Sequence, residues 1–412
     1  MIKVVQISTF TTGGAGIAAY RLHQSLMQRA DCESILVCRD AGIHKGEKNV
    51  IEVGPKPVTL KKRVLNRIDH LLGNSTNFGL EISAQEGNYE LVSWPETHFN
   101  VELEQVIKEA DIIHLHWVAE FINFPTFFSK LKKKKIVWTL HDMNPFMGIF
   151  HYLGDKASNL ALRDLDEKAF RIKKDSLKKS NNICVVSLSE WIQKEAKKNE
   201  VFAKFNYKKI PNGVDVNVFK PTVKEDARNQ LNLEKDSFVM LVVSENLKNY
   251  RKGLDILIDA LPLLKTTTPT KIQVISVGGG ELSVSGFKYK SFGKVLDEKK
   301  LAIIYSSADV FVMPSREDNL PNVMLEALAC GTPVVGFTIG GQKDYILPLD
   351  TGVLAEEGSP ASLAGAIKSL IDNYSSFDRE KISSFAGEHF HKEKQLAAHY
   401  ALYKELLGPV EN

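Results

Sequence analysis

The sequence predicts an α/β protein with two parallel-sheet domains. Apolar strands alternate with amphipathic helices along most of the 412 residues, which is typical of parallel sheets covered by helices. The segment 208–221, which contains prolines and an Asn-Gly pair, interrupts this alternation, and the pattern then begins again. The length is sufficient for two domains of about 200 residues each. We therefore expect an N-terminal domain at residues 1–209, a C-terminal domain at 210–388 and a final helical segment at 389–412.

Each predicted element rests on its spacing of apolar residues. In the first half, short apolar runs predict strands at residues 2–8, 35–37, 112–117, 136–140 and 183–187. In the second half, they predict strands at 238–243, 272–277, 308–313, 334–337 and 352–354. Helical spacing predicts helices at 17–29 and 393–407, and Ser359 with Pro360 predicts the start of another.

The composition is that of an ordinary globular protein, with 43% hydrophobic and 25% charged residues. No apolar run approaches the length that spans a bilayer, and the chain begins with a strand pattern rather than a signal peptide. We therefore expect a cytoplasmic protein. The four cysteines lack metal-like spacing, so we expect reduced and mostly buried thiols: Cys32, Cys38, Cys184 and Cys330.

The net charge of +3 is unevenly distributed. Residues 1–210 contain 31 basic and 24 acidic side chains, whereas the remainder contains 22 and 26. The basic half suits an anionic partner such as a membrane surface or a lipid pyrophosphate, although a solvated basic surface explains it equally well. Residues 57–68 could form a basic amphipathic helix, which either lies on a membrane surface or simply covers the domain.

The most informative stretch is residues 314–341, PSREDNLPNVMLEALACGTPVVGFTIGG. It follows an apolar strand, begins with a polar loop at 315–319, continues into a short helix whose first turn suits Pro321, and ends in another strand. Ligands of parallel sheets bind at the carboxyl ends of the strands. The loop and the helix start are therefore expected to form a ligand site.

The residues of this loop suit a nucleoside diphosphate linked to a sugar. Glu326, about one helical turn in, could accept hydrogen bonds from two vicinal ribose hydroxyls, and Asp318 precedes the helix, near the expected sugar. Unpaired amides and the helix dipole would attract the diphosphate. The helix start comprises Asn319, Leu320, Pro321, Asn322 and Val323. For either carboxylate alone, an ordinary strand–helix corner with surface acids is the alternative.

The same string resembles the retaining glycosyltransferases of family 4, which have the two-domain GT-B fold. Their motif places two acids eight positions apart within a pattern like E-G-F-G-L-P-x-x-E-A-M-A-C-G-x-P-V-V. Here Asp318 and Glu326 occupy the acidic positions, and the D-N-L-P-N form resembles a subgroup of bacterial capsule, exopolysaccharide and lipopolysaccharide enzymes. The resemblance covers nearly the whole chain. It implies two Rossmann-like parallel-sheet domains facing an interdomain cleft, with the final helix crossing back to the N-terminal domain.

In the second half, the resemblance implies further donor-binding residues. Lys252 matches a family lysine that clamps the donor diphosphate. The family arginine falls on Leu247, and either Arg251 or Lys248 could replace it. Cations suit this place because the leaving diphosphate gains negative charge. Loops near three further residues would receive the nucleobase, although they equally suit ordinary strand ends: Gly278, Phe292 and Lys294.

In the first half, the string WTLHDMNPF resembles the same subgroup, and by that resemblance His141 would contact the donor sugar. Asp142 could orient His141, serve the acceptor or cap the next turn. The loop containing Gly13 and Gly14 would touch donor phosphate or acceptor, although a tight turn explains these glycines equally well. We interpret His114 and His116 as structural side chains facing opposite sides of a strand.

These residues predict a retaining glycosyltransferase acting in bacterial surface polysaccharide synthesis. It would move a sugar from a UDP- or GDP-sugar to a hydroxyl of a glycan or of a lipid-pyrophosphate-linked glycan. We assign Asp318, Lys252, Arg251 and His141 to the reacting end of the donor, and Asp142 to the acceptor side. We expect no metal, no separate cofactor and no nucleic-acid partner. Peripheral contact with the cytoplasmic face of the inner membrane is an open alternative to a protein that stays in the cytoplasm.

Two other functions fit the same donor motifs. A nucleotide-sugar epimerase on this fold would keep the donor site but need no acceptor. A catalytically silent subunit of a glycan-assembly complex would fit Leu247 and the use of Asp318 where the family usually has glutamate.

Overall fold

The computed structural model describes residues 1–55, 89–356 and 358–408. They form two compact units. Unit 1 contains Met1–Ser187, Ile192–Lys209 and Tyr400–Asn412, and unit 2 contains Leu188–Trp191 and Ile210–His399. The basic segment predicted as a helix at 57–68 lies outside the described residues.

Unit 1 is built on a seven-stranded sheet in the order β3-β2-β1-β4-β5-β6-β7, and every neighbouring pair is parallel. The strands are β1 Ile2–Phe10, β2 Cys32–Asp40, β3 Val50–Glu52, β4 Ile112–Leu115, β5 Lys135–Leu140, β6 Ile183–Ser187 and β7 Asn206–Lys209. The α-helices described between and after them are α1 Gly13–Met27, α2 Gln105–Glu109, α3 Phe124–Lys130, α4 Leu153–Ser158, α5 Arg163–Leu177 and α6 Glu190–Lys198, whose first two residues belong to unit 2.

Unit 2 is built on a six-stranded parallel sheet in the order β10-β9-β8-β11-β12-β13. The strands are β8 Phe238–Asn246, β9 Ile272–Gly279, β10 Lys288–Ser291, β11 Val310–Met313, β12 Val334–Phe337 and β13 Gly352–Ala355. The helices are α7 Lys224–Gln230, α8 Leu254–Thr267, α9 Glu298–Ser307, α10 Asn322–Ala329, α11 Pro360–Asp372, α12 Arg379–Phe390 and α13 Lys392–Leu407, the last of which continues into unit 1.

The central strands are apolar because helices cover both faces of each sheet. All four residues of β11 and of β12 are buried, as are all four of β4. Side-chain caps fix several helix starts: Ser359 accepts a hydrogen bond from the Ser362 amide, and Pro360 opens α11 as the sequence predicts. The four cysteines are buried free thiols, which confirms that prediction.

Two sequence predictions about element ends and faces are wrong. Helix α1 begins at Gly13 rather than at residue 17, so the glycines form its first turn instead of a separate loop. His114 and His116 lie on the same side of the sheet, with ring centroids 4.2 Å apart, because positions two apart on a strand share a face.

In each sheet the chain adds strands first on one side of its first strand and then on the other side. In unit 1 the chain builds outward from β1 through β2 and β3, then returns to β4 on the other side of β1. Unit 2 does the same at β8 and β11. Ligands of open α/β sheets bind at the carboxyl ends of the strands at such reversal points. Each unit therefore has one expected site.

Candidate active site

The reversal point of unit 2 carries a compact charged cluster. Lys252 ends a short 3₁₀ turn, Tyr250–Lys252, which follows β8, and its Nζ donates to Asp318 Oδ2 at 2.6 Å. The guanidinium of Arg251 lies 3.3 Å from the same oxygen and also donates to the backbone carbonyl of Glu317 at 2.8 Å. The structure thus brings together three residues that the sequence predicts for the reacting end of the donor.

Asp318 is ionised in this setting. Its side chain is buried, which by itself raises the pKa, but the charges of Lys252 and Arg251 outweigh burial and hold the pKa of this carboxyl below its ordinary value. The three side chains together carry a net positive charge. They can therefore hold one more anion if its oxygens replace those of Asp318 around the two cations.

Two glycines hold the Asp318 loop against its neighbours. Gly253 and Gly340 both have left-handed backbones, with φ of 65° and 54°. A Cβ on Gly253 would stand 1.9 Å from the Pro314 carbonyl oxygen, and one on Gly340 would stand 1.8 Å from the Asp318 carbonyl oxygen. Only glycine permits both the conformation and the close approach at these positions.

Hydrogen bonds fix the next residue, Asn319. Its amide donates to Asp318 Oδ1 at 3.0 Å, and its carbonyl accepts from the Gly341 amide at 2.8 Å. Its side-chain Oδ1 accepts from the hydroxyl of Ser189, which also belongs to unit 2, at 2.7 Å. The backbone of the loop is therefore held from several sides, which is what precise placement of Asp318 requires.

The helix start is displaced from its predicted position. Pro321 is the N-cap of α10 rather than a residue of its first turn, and the buried Leu320 precedes the cap, so the helix begins at Asn322 and Val323. The side chain of Asn322 accepts from the Asn212 amide group at 2.9 Å. The positive end of the helix dipole thus lies at Asn322, four residues after Asp318.

Glu326 lies inside α10 and is only 4% exposed. Its Oε2 accepts from the hydroxyl of Tyr305 on α9 at 3.2 Å. A buried carboxylate needs such partners, and this one is held by the core of unit 2. Its role toward a ribose stays a prediction.

The predicted nucleobase loops lie at the adjoining strand ends. Gly278, the next-to-last residue of β9, has a φ of 143° and lies so close to β8 that a Cβ would stand 1.8 Å from the Ser244 carbonyl oxygen. The amide of Phe292 donates to the Ser276 carbonyl at 2.9 Å. Lys294 is exposed, and its Cε lies 3.0 Å from where a Cβ on Gly279 would stand. These three predicted residues thus border one edge of the β9 carboxyl end.

The structure distinguishes Arg251 from Lys248, the two residues that could replace the family arginine. Leu247 is 3% exposed and packs beside Gly278, so no charge is present there. Lys248 is exposed and lies beside Gly280, whereas Arg251 lies against Asp318 together with Lys252. Arg251 is therefore the cation that the structure places in the cluster.

In unit 1, His141 follows β5 at the sheet edge where β1 and β4 also end. Its Nε2 lies 3.2 Å from Nδ1 of His116, which follows β4, and His141 remains partly exposed. The interpretation of His116 as merely structural overlooked this contact. If positions 114 and 116 had been placed on the same face of the strand, His116 would have been expected to lie near the carboxyl end of the neighbouring strand.

Asp142 is a buried hub rather than the partner that orients His141. Its carboxylate accepts from Trp117 Nε1 at 2.7 Å and from the Asn144 amide at 3.0 Å, and it pairs with His151 Nδ1 at 2.5 Å. Burial raises its pKa, but the His151 charge and these hydrogen bonds hold the pKa below its ordinary value. Its hydrogen bond from the Asn144 amide ties it to the start of the next turn, whose N-cap is Met143, and its role on the acceptor side stays a prediction.

Sequence reasoning missed Lys173, a buried lysine beneath this loop. Its Nζ donates to the carbonyls of Asn144 and Gly148 at 2.6 and 2.7 Å, and burial lowers its pKa to about 7. Charge-rich α5 reads as a solvated helix, yet Leu165, Ala169, Lys173 and Leu177 recur every four residues and are all buried. This four-residue spacing is the sequence signal that would have marked Lys173 as a buried position.

The glycines at the start of α1 differ in their physical reasons. Gly13 has a φ of 70°, which favours glycine. Around Gly14 no atom lies within 4 Å of an added Cβ, whereas a Cβ on Gly16 would stand 2.7 Å from the Thr11 carbonyl carbon. Close packing of α1 on β1 thus requires Gly16, and Gly14 faces open space at the sheet edge.

A small cavity of about 10 Å³, close to what one water needs, lies among His116, Trp117, His141 and Asp142. Over residues 1–55, 89–356 and 358–408, no group of three or more His, Cys, Asp or Glu side chains is arranged to hold a metal ion. Across the same part of the chain, no helix combines the length and apolarity that crossing a membrane requires.

Residues 237–373 match a protein-family model described as "Glycosyl transferases group 1". This match lies within unit 2 and contains the whole charged cluster. A D-inositol 3-phosphate glycosyltransferase of Paenarthrobacter aurescens is 30% identical over 194 residues, which cover 43% of this chain and 46% of that protein. The chain spans less than half the length of the first curated relatives that it matches.

Solved structures match nearly the whole chain. Sucrose-phosphate synthase from Thermosynechococcus elongatus is 21% identical, with a TM-score of 0.67 over 98% of this chain and 99% of that one. Anabaena HepE in complex with UDP-glucose is 18% identical, with the same TM-score and coverages. These likenesses confirm the predicted fold class, α/β with two Rossmann-like parallel-sheet domains of the GT-B type.

The comparisons support the coarser of the two predicted resemblances. The matched segment is similar to group 1 glycosyltransferases, and the curated relative named above is an inositol phosphate enzyme rather than one of capsule or lipopolysaccharide synthesis. The narrower resemblance to surface-polysaccharide enzymes therefore remains an expectation from the DNLPN and WTLHDMNPF strings.

Proposed function

We propose that this protein is a retaining glycosyltransferase that moves a sugar from a nucleoside-diphosphate sugar to a hydroxyl of a glycan or lipid-linked glycan. One observation carries the proposal. Lys252 and Arg251 converge on ionised Asp318 at the strand-reversal point of unit 2, inside the segment that matches the group 1 glycosyltransferases. A site with two clustered cations beside a helix start suits a diphosphate.

In this proposal the cluster works by stabilising the leaving group. As the bond between sugar and diphosphate breaks, negative charge grows on the diphosphate, and Lys252 and Arg251 would neutralise it together with the positive end of α10. Asp318, displaced from the cations by the diphosphate, would accept hydrogen bonds from sugar hydroxyls. Its lowered pKa makes it an acceptor rather than a proton donor near neutral pH.

The stereochemical part of the proposal also follows from this assignment. Because Asp318 is assigned to accepting hydrogen bonds from the sugar hydroxyls, we assign no covalent intermediate to it. The incoming hydroxyl would attack from the face that the diphosphate leaves, and the diphosphate would take its proton. This route gives retention of anomeric configuration and requires no metal ion in the chemical step, which an assay in EDTA tests.

We propose UDP as the first nucleotide to test, because Anabaena HepE was solved with UDP-glucose; a GDP-sugar is the second. For the acceptor, the strings shared with the surface-polysaccharide subgroup support a glycan hydroxyl, and the excess of seven basic charges in residues 1–210 supports an anionic, lipid-linked form at the inner face of the cytoplasmic membrane. An inositol phosphate is the second candidate acceptor, favoured by the named relative.

The deciding experiment is slow hydrolysis of UDP- and GDP-sugars by the purified full-length protein without acceptor. We expect release of the nucleoside diphosphate, and a fall of about 100- to 1,000-fold in Lys252→Ala, because one preorganised charge is removed from the leaving group. Lys288→Ala is the matched control. Lys288 is an exposed residue at the start of β10 and forms an ion pair with Glu234 at the same 2.6 Å, so its loss should leave the rate unchanged.

The other outcomes assign the rival functions. An epimerised nucleotide sugar in place of free diphosphate would identify an epimerase. If neither product forms and a thermal-shift screen shows no stabilisation by any UDP- or GDP-sugar, the proposal fails and a silent subunit of a glycan-assembly complex becomes the better account.

A further inference from the structure

Five polar side chains of unit 1 form a continuous hydrogen-bonded chain that ends at His141. We name this set the histidine relay: His141, His116, Gln6, Ser34 and His23. The distances between successive polar atoms are 3.2 Å from His141 Nε2 to His116 Nδ1 and 2.9 Å from His116 Nε2 to Gln6 Oε1. They are 3.1 Å from Gln6 Nε2 to Ser34 Oγ and 2.9 Å from Ser34 Oγ to His23 Nδ1.

The relay crosses the sheet from its edge into the interior. Gln6 lies on β1, Ser34 on β2 and His23 on α1, and all three are fully buried, whereas His116 is 3% exposed. Only His141 is partly exposed. Polar groups this deeply buried cost free energy unless each finds a partner, so four of them in one line mark a built feature rather than incidental packing.

The chemistry of the amide sets the direction of every hydrogen bond. The carbonyl oxygen of Gln6 can only accept, so His116 must donate from Nε2. In a neutral ring the other nitrogen, Nδ1, is then an acceptor, and it receives the Nε2–H of His141. In the structure the NH₂ group of Gln6 faces Ser34 Oγ and donates to it. Ser34 and a neutral His116 can each donate or accept, so the His141 tautomer is the property that tests this orientation.

The inner end of the relay is consistent with this direction. Ser34, having accepted from Gln6, donates its hydroxyl proton to His23 Nδ1. Burial lowers the pKa of His23 to about 4, so its ring is neutral near pH 7 and has one donor and one acceptor nitrogen. With Nδ1 as the acceptor, the ring proton is on Nε2. The remaining ring nitrogen, Nε2, is buried without a hydrogen-bond partner and ends the relay.

We infer that the histidine relay is a positioning device that holds His141 as the neutral tautomer protonated on Nε2. The accepting nitrogen of the ring is then Nδ1. A role for this nitrogen toward a sugar hydroxyl rests on the proposed function, whereas the tautomer is argued from the hydrogen bonds of the relay. His116, Gln6 and Ser34 act through His141 and are positioning residues.

The alternative to this inference is the same set of contacts with every hydrogen bond reversed. If the Gln6 amide were turned by 180°, its NH₂ group would donate to His116, and every hydrogen bond in the relay would reverse. His141 would then accept at Nε2 and carry its proton on Nδ1. The two arrangements differ in one measurable property, which is the ring nitrogen of His141 that bears the proton.

The test is nitrogen NMR of the full-length protein labelled with ¹⁵N only in histidine. His141→Gln identifies the His141 signals by their loss. In the wild-type protein we expect the proton of His141 on Nε2. In Gln6→Leu we expect a mixture of the two tautomers, and a fall of about tenfold in kcat for donor hydrolysis with KM nearly unchanged, the size of one lost hydrogen bond.

Two further variants keep the test decisive. Ser34→Ala breaks the relay farther from His141 and should also mix the tautomers, and it replaces Gln6→Leu if that variant does not fold. Thr139→Val is the matched control: it removes a hydroxyl 2.8 Å from Nε2 of His114, a buried histidine of the same sheet outside the relay. It should leave the His141 tautomer unchanged.

Each result of these measurements supports or overturns either the relay or its use in donor hydrolysis. A wild-type His141 protonated on Nδ1 overturns the inference, as does an unchanged tautomer in Gln6→Leu and Ser34→Ala. The expected tautomer in a protein that turns over no nucleotide sugar supports the relay and rejects the proposed function. The expected tautomer changes without any change in kcat would support the relay but exclude its use in donor hydrolysis.

Discussion

In both sheets the strand order reverses at an equivalent place, yet the side chains at these two places differ in kind. At the reversal point of unit 2, Lys252, Arg251 and Asp318 form a charged cluster on loops that glycines hold in close contact. At that of unit 1, His141 ends a buried line of hydrogen-bonded polar side chains that carries no lysine, arginine or carboxylate. Fixed charges suit a diphosphate, and a line of hydrogen-bonding groups suits hydroxyls. The two places therefore suit the two complementary tasks that we propose for them.

Among the variants that test this contrast between the two units, Asp318→Asn is expected to have the largest effect. The asparagine keeps the shape but removes the charge that occupies Lys252 and Arg251. We expect donor hydrolysis to fall about 100-fold because the sugar loses an ionic acceptor. We also expect UDP alone to bind about threefold more tightly, since the two cations lose a competing anion. Calorimetric titration with UDP measures the second effect.

Asp255→Asn is the control for that variant, because Asp255 forms an ion pair with Arg316 in the same region but half of its side chain is exposed. It should change neither the rate nor the UDP affinity. Weaker UDP binding in Asp318→Asn would show that the carboxylate supports the cations rather than competing for them.

The next effect compares one glycine from each unit. Gly340→Ala should destabilise the protein by about 2–3 kcal/mol, because a positive φ and a Cβ 1.8 Å from the Asp318 carbonyl oxygen both oppose it. Gly14→Ala should be neutral or stabilising by about 0.5 kcal/mol, because its Cβ meets nothing within 4 Å in the first turn of α1. Denaturant unfolding measures both, and equal losses would contradict the packing described for the two loops.

A smaller effect separates the two candidates for the missing arginine. Arg251→Ala should lower the rate of donor hydrolysis about tenfold, the cost of one charge-assisted contact, whereas Lys248→Ala should change it less than about twofold. The physical reason is position: Arg251 lies against Asp318, and Lys248 is exposed beside Gly280. The reverse order of effects would assign the family arginine's task to Lys248.

Much of the fold was predictable because parallel strands are buried on both faces. Such strands appear in the sequence as short apolar runs, and β11 and β12, buried throughout, are the clearest cases. The loop from β11 to α10 was predictable for a related reason, since polar residues between a buried strand and a helix start have few other places to lie. The helix start was predicted incorrectly, because Pro321 was placed in the first turn and α10 begins one residue after it.

What sequence reasoning missed depended on contacts between distant segments. The relay joins residues from β1, β2 and α1 to His116 and His141, and no local pattern marks Gln6 or Ser34 as partners. The same holds for glycines: Gly14 and Gly16 look alike in the sequence, and only the approach of α1 to β1 distinguishes them. The same-face relation of His114 and His116, by contrast, follows from strand geometry and was available from the start.

The smallest effect concerns Lys173, which is buried beneath the Asp142 loop. Burial lowers its pKa to about 7, whereas in the unfolded chain it is near 10.5, so above pH 7 the unfolded state binds more protons. Stability should therefore rise with pH through this window, by about 1 kcal/mol between pH 7 and 8 relative to Lys173→Met, which has no titrating group. Unfolding of both proteins at pH 6, 7, 8 and 9 checks the sign. A difference that stays constant from pH 6 to 9 would overturn this expectation, because it would mean that Asp142 and Asp166 hold the buried amine charged throughout this range.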